Sequence, residues 1–181
     1  MNFEKLTLKA QEAVIEAERL AGEFSNPQIE PEHLLRALLV QSEGIILPVL
    51  NKLEVSQGSF FQAVEESLSK LPKVEGVTGR PISPKLNRVL ENALKQADRL
   101  KDEYVSTEHL LLALAEIKDT AAQGILATQG ITTEKVLKVL VGVRGHQRVT
   151  DQNPENKYQA LERYARNLTD LARRGKLDPV I

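Results

Sequence analysis

Apolar residues recur along this chain at three- and four-residue steps. Phe3, Leu6, Ala10, Ala13, Val14, Ala17, Leu20 and Ala21 fall on one face of a helix. Asn2 can cap that helix, and Gly22 with the stretch SNPQ ends it. The segment PEHLLRALL opens at Pro31, a residue suited to the first helical position because its missing N–H costs nothing there. Glu32 falls in the first turn, where a carboxylate complements the helix dipole. Leu34, Leu35, Ala37, Leu38, Leu39 and Val40 leave this helix little polar face, which predicts a central, buried position. A short helix around Leu47–Leu53 follows. Ser56 or Ser59 then opens another, carrying Phe60, Phe61, Val64, Leu68 and Leu71.

The stretch PKVEGVTGRPISP reads as a linker, and the pattern then restarts. Ser83 caps and Pro84 opens a stripe of Leu86, Val89, Leu90, Ala93, Ala97 and Leu100. The nonapeptide TEHLLLALA, capped by Ser106 or Thr107, repeats PEHLLRALL at an offset of 76. Ile125 and Leu126 answer Val49 and Leu50, Thr132 answers Ser56, and Val136 and Leu140 answer Phe60 and Val64. Lys5–Leu6 matches Lys85–Leu86, and AERL matches ADRL, at an offset of 80 instead. That difference puts four extra residues in the first half, in the loop holding SNPQ. The expectation is an all-α fold of eight helices, built as two pseudo-twofold four-helix units over 1–71 and 83–143. A polar linker over 144–156 follows. An amphipathic helix within 157–181 then carries Tyr158, Leu161, Ala165, Leu168 and Leu171.

Composition narrows this further. Apolar residues make up 41% of the chain but aromatics only 4%, so the core is built from Leu, Val, Ile and Ala, a mix that favours packed helices. Cysteine is absent, which excludes disulfides, thiolate zinc sites and a cysteine nucleophile, and fits a reducing, cytoplasmic setting. The net charge is −1, with the basic excess confined to the stretch after Val143. The acidic remainder is a poor match for phosphate backbones, so nucleic acid is not an expected partner. The opening MNFEKLTLKA is no secretory signal. No apolar run reaches the length of a membrane span, so a membrane is not an expected partner either.

His33 and His109 sit at equivalent places in the two copies. A capping or packing role suits them better than a metal pair. HExxH is missing, and neighbours such as Glu32 and His33 do not share a helix face. No phosphate loop, G-x-G-x-x-G or G-x-S-x-G occurs. The pattern is that of a binding module without an active site of its own.

The tail adds a resemblance. The stretch NLTDLARRGKLDPVI closely resembles the entrance to the first ATPase module of the Clp/heat-shock-hundred unfoldases. The two-fold helical repeat before it resembles their amino-terminal Clp repeat domain. MNFEKLT, LPKVEG and RVTDQNPENKYQALERYARNLTDLA resemble the disaggregating branch of that family, and together these stretches span essentially the whole chain.

The resemblance implies a substrate-docking domain joined to a truncated start of an ATP-dependent, Mg²⁺-requiring module. This chain itself is then not an enzyme and holds no cofactor. Partners implied are unfolded or aggregated polypeptides, the rest of a hexamer with a central pore, and DnaK-type chaperones acting through the parent chain. Positions associated with docking in the family match Thr7, Asp102 and Glu108, expected as a polar rim at one end of the domain. His109, with Asn92 and Gln96, stands where an apolar groove is expected in some relatives. Val180 and Ile181 match the pair beside the adenine. Two alternatives remain at this stage: the adaptor-docking domain of the proteolysis-linked branch, and a free-standing helical scaffold.

Overall fold

Thr7 sets the start of the first helix. Its backbone is extended (φ −64°, ψ 160°), and its hydroxyl accepts the Ala10 N–H at 3.3 Å, which satisfies one of the orphan donors of a helix start. The helix α1 therefore spans Leu8–Glu23, behind a single 3₁₀ turn at Phe3–Lys5. Phe3 and Leu6 belong to the approach and not to the helical stripe, and the expected cap Asn2 lies outside the described residues. The computed structural model describes residues 3–77, 79–154 and 157–158. Within them follow α2 (Pro31–Val40), α3 (Ile46–Lys52), α4 (Gln57–Ser69), α5 (Pro84–Arg99), α6 (Thr107–Glu116), α7 (Ala121–Thr128) and α8 (Thr133–Arg144). The eight α-helices make an all-α fold, with no strand among the described residues.

The two copies keep one register throughout. Thr7 and Ser83 are the equivalent caps, 76 positions apart, and the starts of α2 and α6 are 76 apart as well. Ser25 and Lys101, both with positive φ at the ends of α1 and α5, keep the same spacing. The expected four-residue insertion in the first half is therefore absent. Matching letters at an offset of 80 slips one helix by slightly more than a turn. Such a slip leaves apolar residues on the same face, so the stripe alone cannot detect it.

Short extended segments lock the copies together. Leu6 bridges Val105, and Ile82 bridges Ile29. Thr7 N–H donates to Val105 O at 2.9 Å and Val105 N–H to Lys5 O at 2.8 Å; Ile29 and Pro81–Ser83 repeat that pattern. Each copy's first cap segment thus pairs with the other copy. Helices cross the boundary too, with α3 packing on α8 and α4 on α7, while α2 and α6 meet at the centre. Leu34, Leu35, Leu38, Leu110, Leu112 and Leu114 on these two central helices are completely enclosed. Burial on that scale stabilises by about 2 kcal/mol per leucine.

The polar stretch after α8 is bound to the domain. Gly145 turns the chain with a φ of 64°, which a side chain would resist. Residues 147–152 then cross the end of the domain. Leu8 N–H donates to Gln152 O at 2.8 Å, and Glu103 N–H to Val149 O at 2.9 Å. Within the polar linker anticipated over 144–156, these residues form a docked strap. Apart from Lys157 and Tyr158, the latter buried, the anticipated tail helix lies outside the described residues.

Candidate functional site

The repeated EHL segments begin their helices through histidine. In α2, the Glu30 N–H donates to His33 Nδ1 at 2.9 Å, and His33 Nε2 meets Asn26 Oδ1 at 2.9 Å. In α6, the Ser106 N–H donates to His109 Nδ1 at 2.9 Å, and His109 Nε2 meets Asp102 Oδ2 at 2.9 Å. Because Nδ1 accepts from a backbone N–H, the proton of each neutral ring sits on Nε2. Both histidines are fully enclosed and serve as helix-start residues. Burial drops the His33 pKa to about 4. No cluster of metal-ligating side chains occurs among the described residues.

The two ends then diverge at the partner of the histidine Nε2. Asn26 in the first copy is replaced by Asp102 in the second, and Arg144 comes with it. Arg144 Nη2 reaches Asp102 Oδ1 at 2.5 Å and Oδ2 at 2.6 Å, and its Nη1 reaches Glu108 Oε1 at 3.3 Å. The Val149 N–H completes the set, donating to Asp102 Oδ1 at 2.8 Å. Burial opposes ionisation of Asp102, but hydrogen bonds from His109, Arg144 and Val149 hold its carboxyl below the usual range. Burial likewise works against the Arg144 cation. Its bonds and the charges of Asp102 and Glu108 override that and raise its pKa.

Thr7, Asp102, Glu108 and His109 are brought to one end of the domain. Thr7 joins it through Val105, three residues after Asp102. A polar client-facing rim was expected of Thr7, Asp102 and Glu108; in this arrangement they are at most 8% exposed. Val180 and Ile181, expected beside an adenine, lie outside the described residues. Ser106, His109 and Asp102 also line up like the hydrogen-bond chain of a serine hydrolase, but with the two ring nitrogens exchanged. Here Ser106 Oγ is 2.9 Å from Nδ1, but the serine is fully enclosed and Nδ1 already takes its backbone N–H. The hydroxyl is presented to no substrate, and the chain is structural.

A groove opens beside this end. Between α1 and α2, Glu12, Ile15, Glu16, Ala37, Val40 and Gln41 line a cavity of about 340 Å³. Ile15 is 60% exposed and Val40 43%. Gln41 Nε2 ties the groove to the start of α1 by donating to Lys9 O at 2.8 Å. The matching places in the second copy hold Glu91 and Glu116 instead. There Gln96 Nε2 donates to Asn92 Oδ1 and to Glu116, and Arg99 pairs with Glu116 at 3.3 Å. Asn92 and Gln96, expected near a groove, are tied to each other and to Glu116 at that place.

Sequence reasoning missed Ile15 and Val149. Ile15, a large aliphatic residue directly after the Ala13–Val14 pair of the stripe, was a legible signal. Nothing in the spacing pointed to Val149.

The fold is a twofold helical repeat, and comparison with known proteins gives it a family. The model of the Clp repeat (R) N-terminal domain matches residues 5–129, and the chain belongs to that family. The chaperone ClpB of Bdellovibrio bacteriovorus is 42% identical over 97% of this chain and 21% of its own length; that of Corynebacterium diphtheriae is 45% identical over the same shares. The chain thus spans about a fifth of the relatives it matches, and its likeness is to the N-domain of ClpB-type AAA+ chaperones. Among solved structures, the Hsp104 N-terminal domain of Candida albicans superposes with a TM-score of 0.74 at 26% identity, covering 84% of this chain and 99% of that one. A ClpV N-domain, in complex with VipB peptide, shares the fold, with a TM-score of 0.60 at 22% identity over 76% of this chain and 85% of that one.

Proposed function

We propose that this chain is the polypeptide-docking domain of an ATP-driven, cytoplasmic disaggregase. It holds exposed apolar segments of unfolded or aggregated polypeptides near the pore of a hexamer. ATP and Mg²⁺ belong to the ATPase modules of the parent chain, with Val180 and Ile181 on the adenine side. DnaK-type chaperones act through that parent chain. The observation that carries the reading is the α1–α2 groove. The fold does not require it, because the second copy builds the same helix pair with charged residues at the same places. Two exposed aliphatic side chains flanked by carboxylates suit an apolar client segment with basic neighbours. That ClpV's N-domain takes a peptide on the same fold supports a peptide-binding role.

Thr7, Asp102, Glu108 and His109 enter this function indirectly while the strap is in place. They fix the starts of α1 and α6, and through α1 the groove. A client that must be released into a pore is held weakly, at micromolar affinity or poorer, about −8 kcal/mol or less in magnitude. Ile15→Lys should weaken binding of a permanently unfolded polypeptide about tenfold or more, measured by titration, with helicity unchanged because Ile15 is exposed. Glu91→Lys, at the matching place, should change nothing. Equal affinities for Ile15→Lys and the unaltered chain would sink the groove as the docking site.

A further inference from the structure

We propose that the edge formed by Leu8, Asp102 and Glu103 is itself a binding site for an extended polypeptide segment, and that residues 148–152 are its resident, exchangeable occupant. The strap is held as a bound peptide would be. Its backbone makes three bonds to the edge: Glu103 N–H to Val149 O at 2.9 Å, Leu8 N–H to Gln152 O at 2.8 Å, and Val149 N–H to Asp102 Oδ1 at 2.8 Å. Between Gly145 and Asn153 only Val149 is buried. One enclosed aliphatic side chain and a run of main-chain bonds is the recognition pattern of added-strand binding. It tolerates many sequences because it reads the backbone.

The first copy shows what a permanent version looks like. Its crossing segment is held by Val74 N–H to Ser25 O at 2.8 Å and by Asn26 Nδ2 to Pro72 O at 2.8 Å. Arg80 Nε clamps Asn26 O, and α4 and α5 anchor both ends. In the second copy α8 anchors the near end of the strap, and past its far end Pro154 and Tyr158 are buried against the domain. The polarity at the key position is also reversed. Asn26 donates to a carbonyl, whereas Asp102 accepts from an N–H, so the second edge demands a residue with a backbone N–H and refuses proline. Beside it, Leu100, Leu137, Leu140 and Val141 line a cavity of about 320 Å³ under the turn at 144–148. The exposed polar residues of that turn do not fill it, and a client with an apolar residue there would. The ligand class is therefore an extended segment with a β-branched aliphatic residue at the Val149 place and an apolar one a few positions before it.

This rests on the docking reading for the identity of the competitor, but its test is separate from the Ile15 test. The readout is amide hydrogen exchange of the whole chain, at Leu8 and Glu103. Both should be protected in the unaltered chain. Val149→Asp should lower their protection on the order of a hundredfold while the α2 and α6 amides keep theirs. The peptide His146–Pro154 added in excess should restore it, and the same peptide N-methylated at the valine should not. A permanently unfolded polypeptide should also restore it, and should bind Val149→Asp about tenfold more tightly than the unaltered chain. Should Val149→Asp also expose α6, Val149→Gly is read by the same criteria. Undiminished protection in the variant overturns the proposal. So does loss that neither peptide nor polypeptide repairs, or repair by the strap peptide alone.

Discussion

One side-chain exchange, Asn26 for Asp102, decides what the two ends of this molecule do. Asp102 balances a buried Arg144, orients His109 and accepts the Val149 N–H. Removing it leaves an enclosed guanidinium without its main partner. Asp102→Ala should therefore cost about 3–5 kcal/mol in a denaturant titration, against about 1–3 kcal/mol for Asn26→Ala, which strands only neutral groups. Equal costs would mean that the Arg144 pair carries no special weight. Acid acts on this same layer through His33. Its folded pKa of about 4 lies below the ordinary 6.5, so the unfolded chain takes up the proton first. Stability is full above about pH 6.5 and falls by up to about 3 kcal/mol as pH drops toward 4. Asp102, whose folded pKa is depressed, adds loss in the same direction below its ordinary 3.8. His33→Gln should flatten the slope between pH 6.5 and 4.5. The EHL repeat made the histidines legible as helix-start residues. The Arg144 pairing was not, because a basic residue in a last helical turn already has a sufficient reason in the helix dipole.

Among the elements, caps were more informative than stripes. The apolar pattern located all eight helices, because a buried face repeats every three or four residues whatever surrounds it. It could not fix their register, since a four-residue slip keeps the face. Thr7 and Ser83, each accepting an N–H three residues on, at 3.3 and 3.1 Å, fix it. Both are enclosed. Thr7→Ala and Ser83→Ala should therefore each cost about 1 kcal/mol, and by similar amounts, in thermal or denaturant unfolding. Thr7 was expected as a client-facing group by resemblance. A loss of polypeptide binding in Thr7→Ala at unchanged stability would restore that direct role. A matched loss of stability in the two variants assigns Thr7 to the helix start. The groove shows the complementary limit of a stripe. Ile15 fell outside it and was passed over, although an aliphatic residue on a solvent face is what a docking surface leaves in a sequence.

At the scale of the whole molecule, duplication foretold two four-helix units but not how they share their parts. Periodicity says which face of a helix is buried and is silent about which copy buries it. The structure answers with exchange. Leu6 before α1 pairs with Val105, Ile82 before α5 pairs with Ile29, α3 packs on α8, and α4 packs on α7. Neither copy encloses its own apolar faces. A chain divided between Val77 and Gly79 should give two pieces with little helix each, because isolated helices of 7 to 16 residues are marginal without packing partners. Mixing the pieces should recover the helical signal of the intact chain, in a step that depends on concentration. The undivided chain should then melt in one transition, with tertiary and secondary probes coincident. Two independent transitions, or a first piece that folds alone, would show that the copies are separate units and that the exchanged segments are incidental to stability.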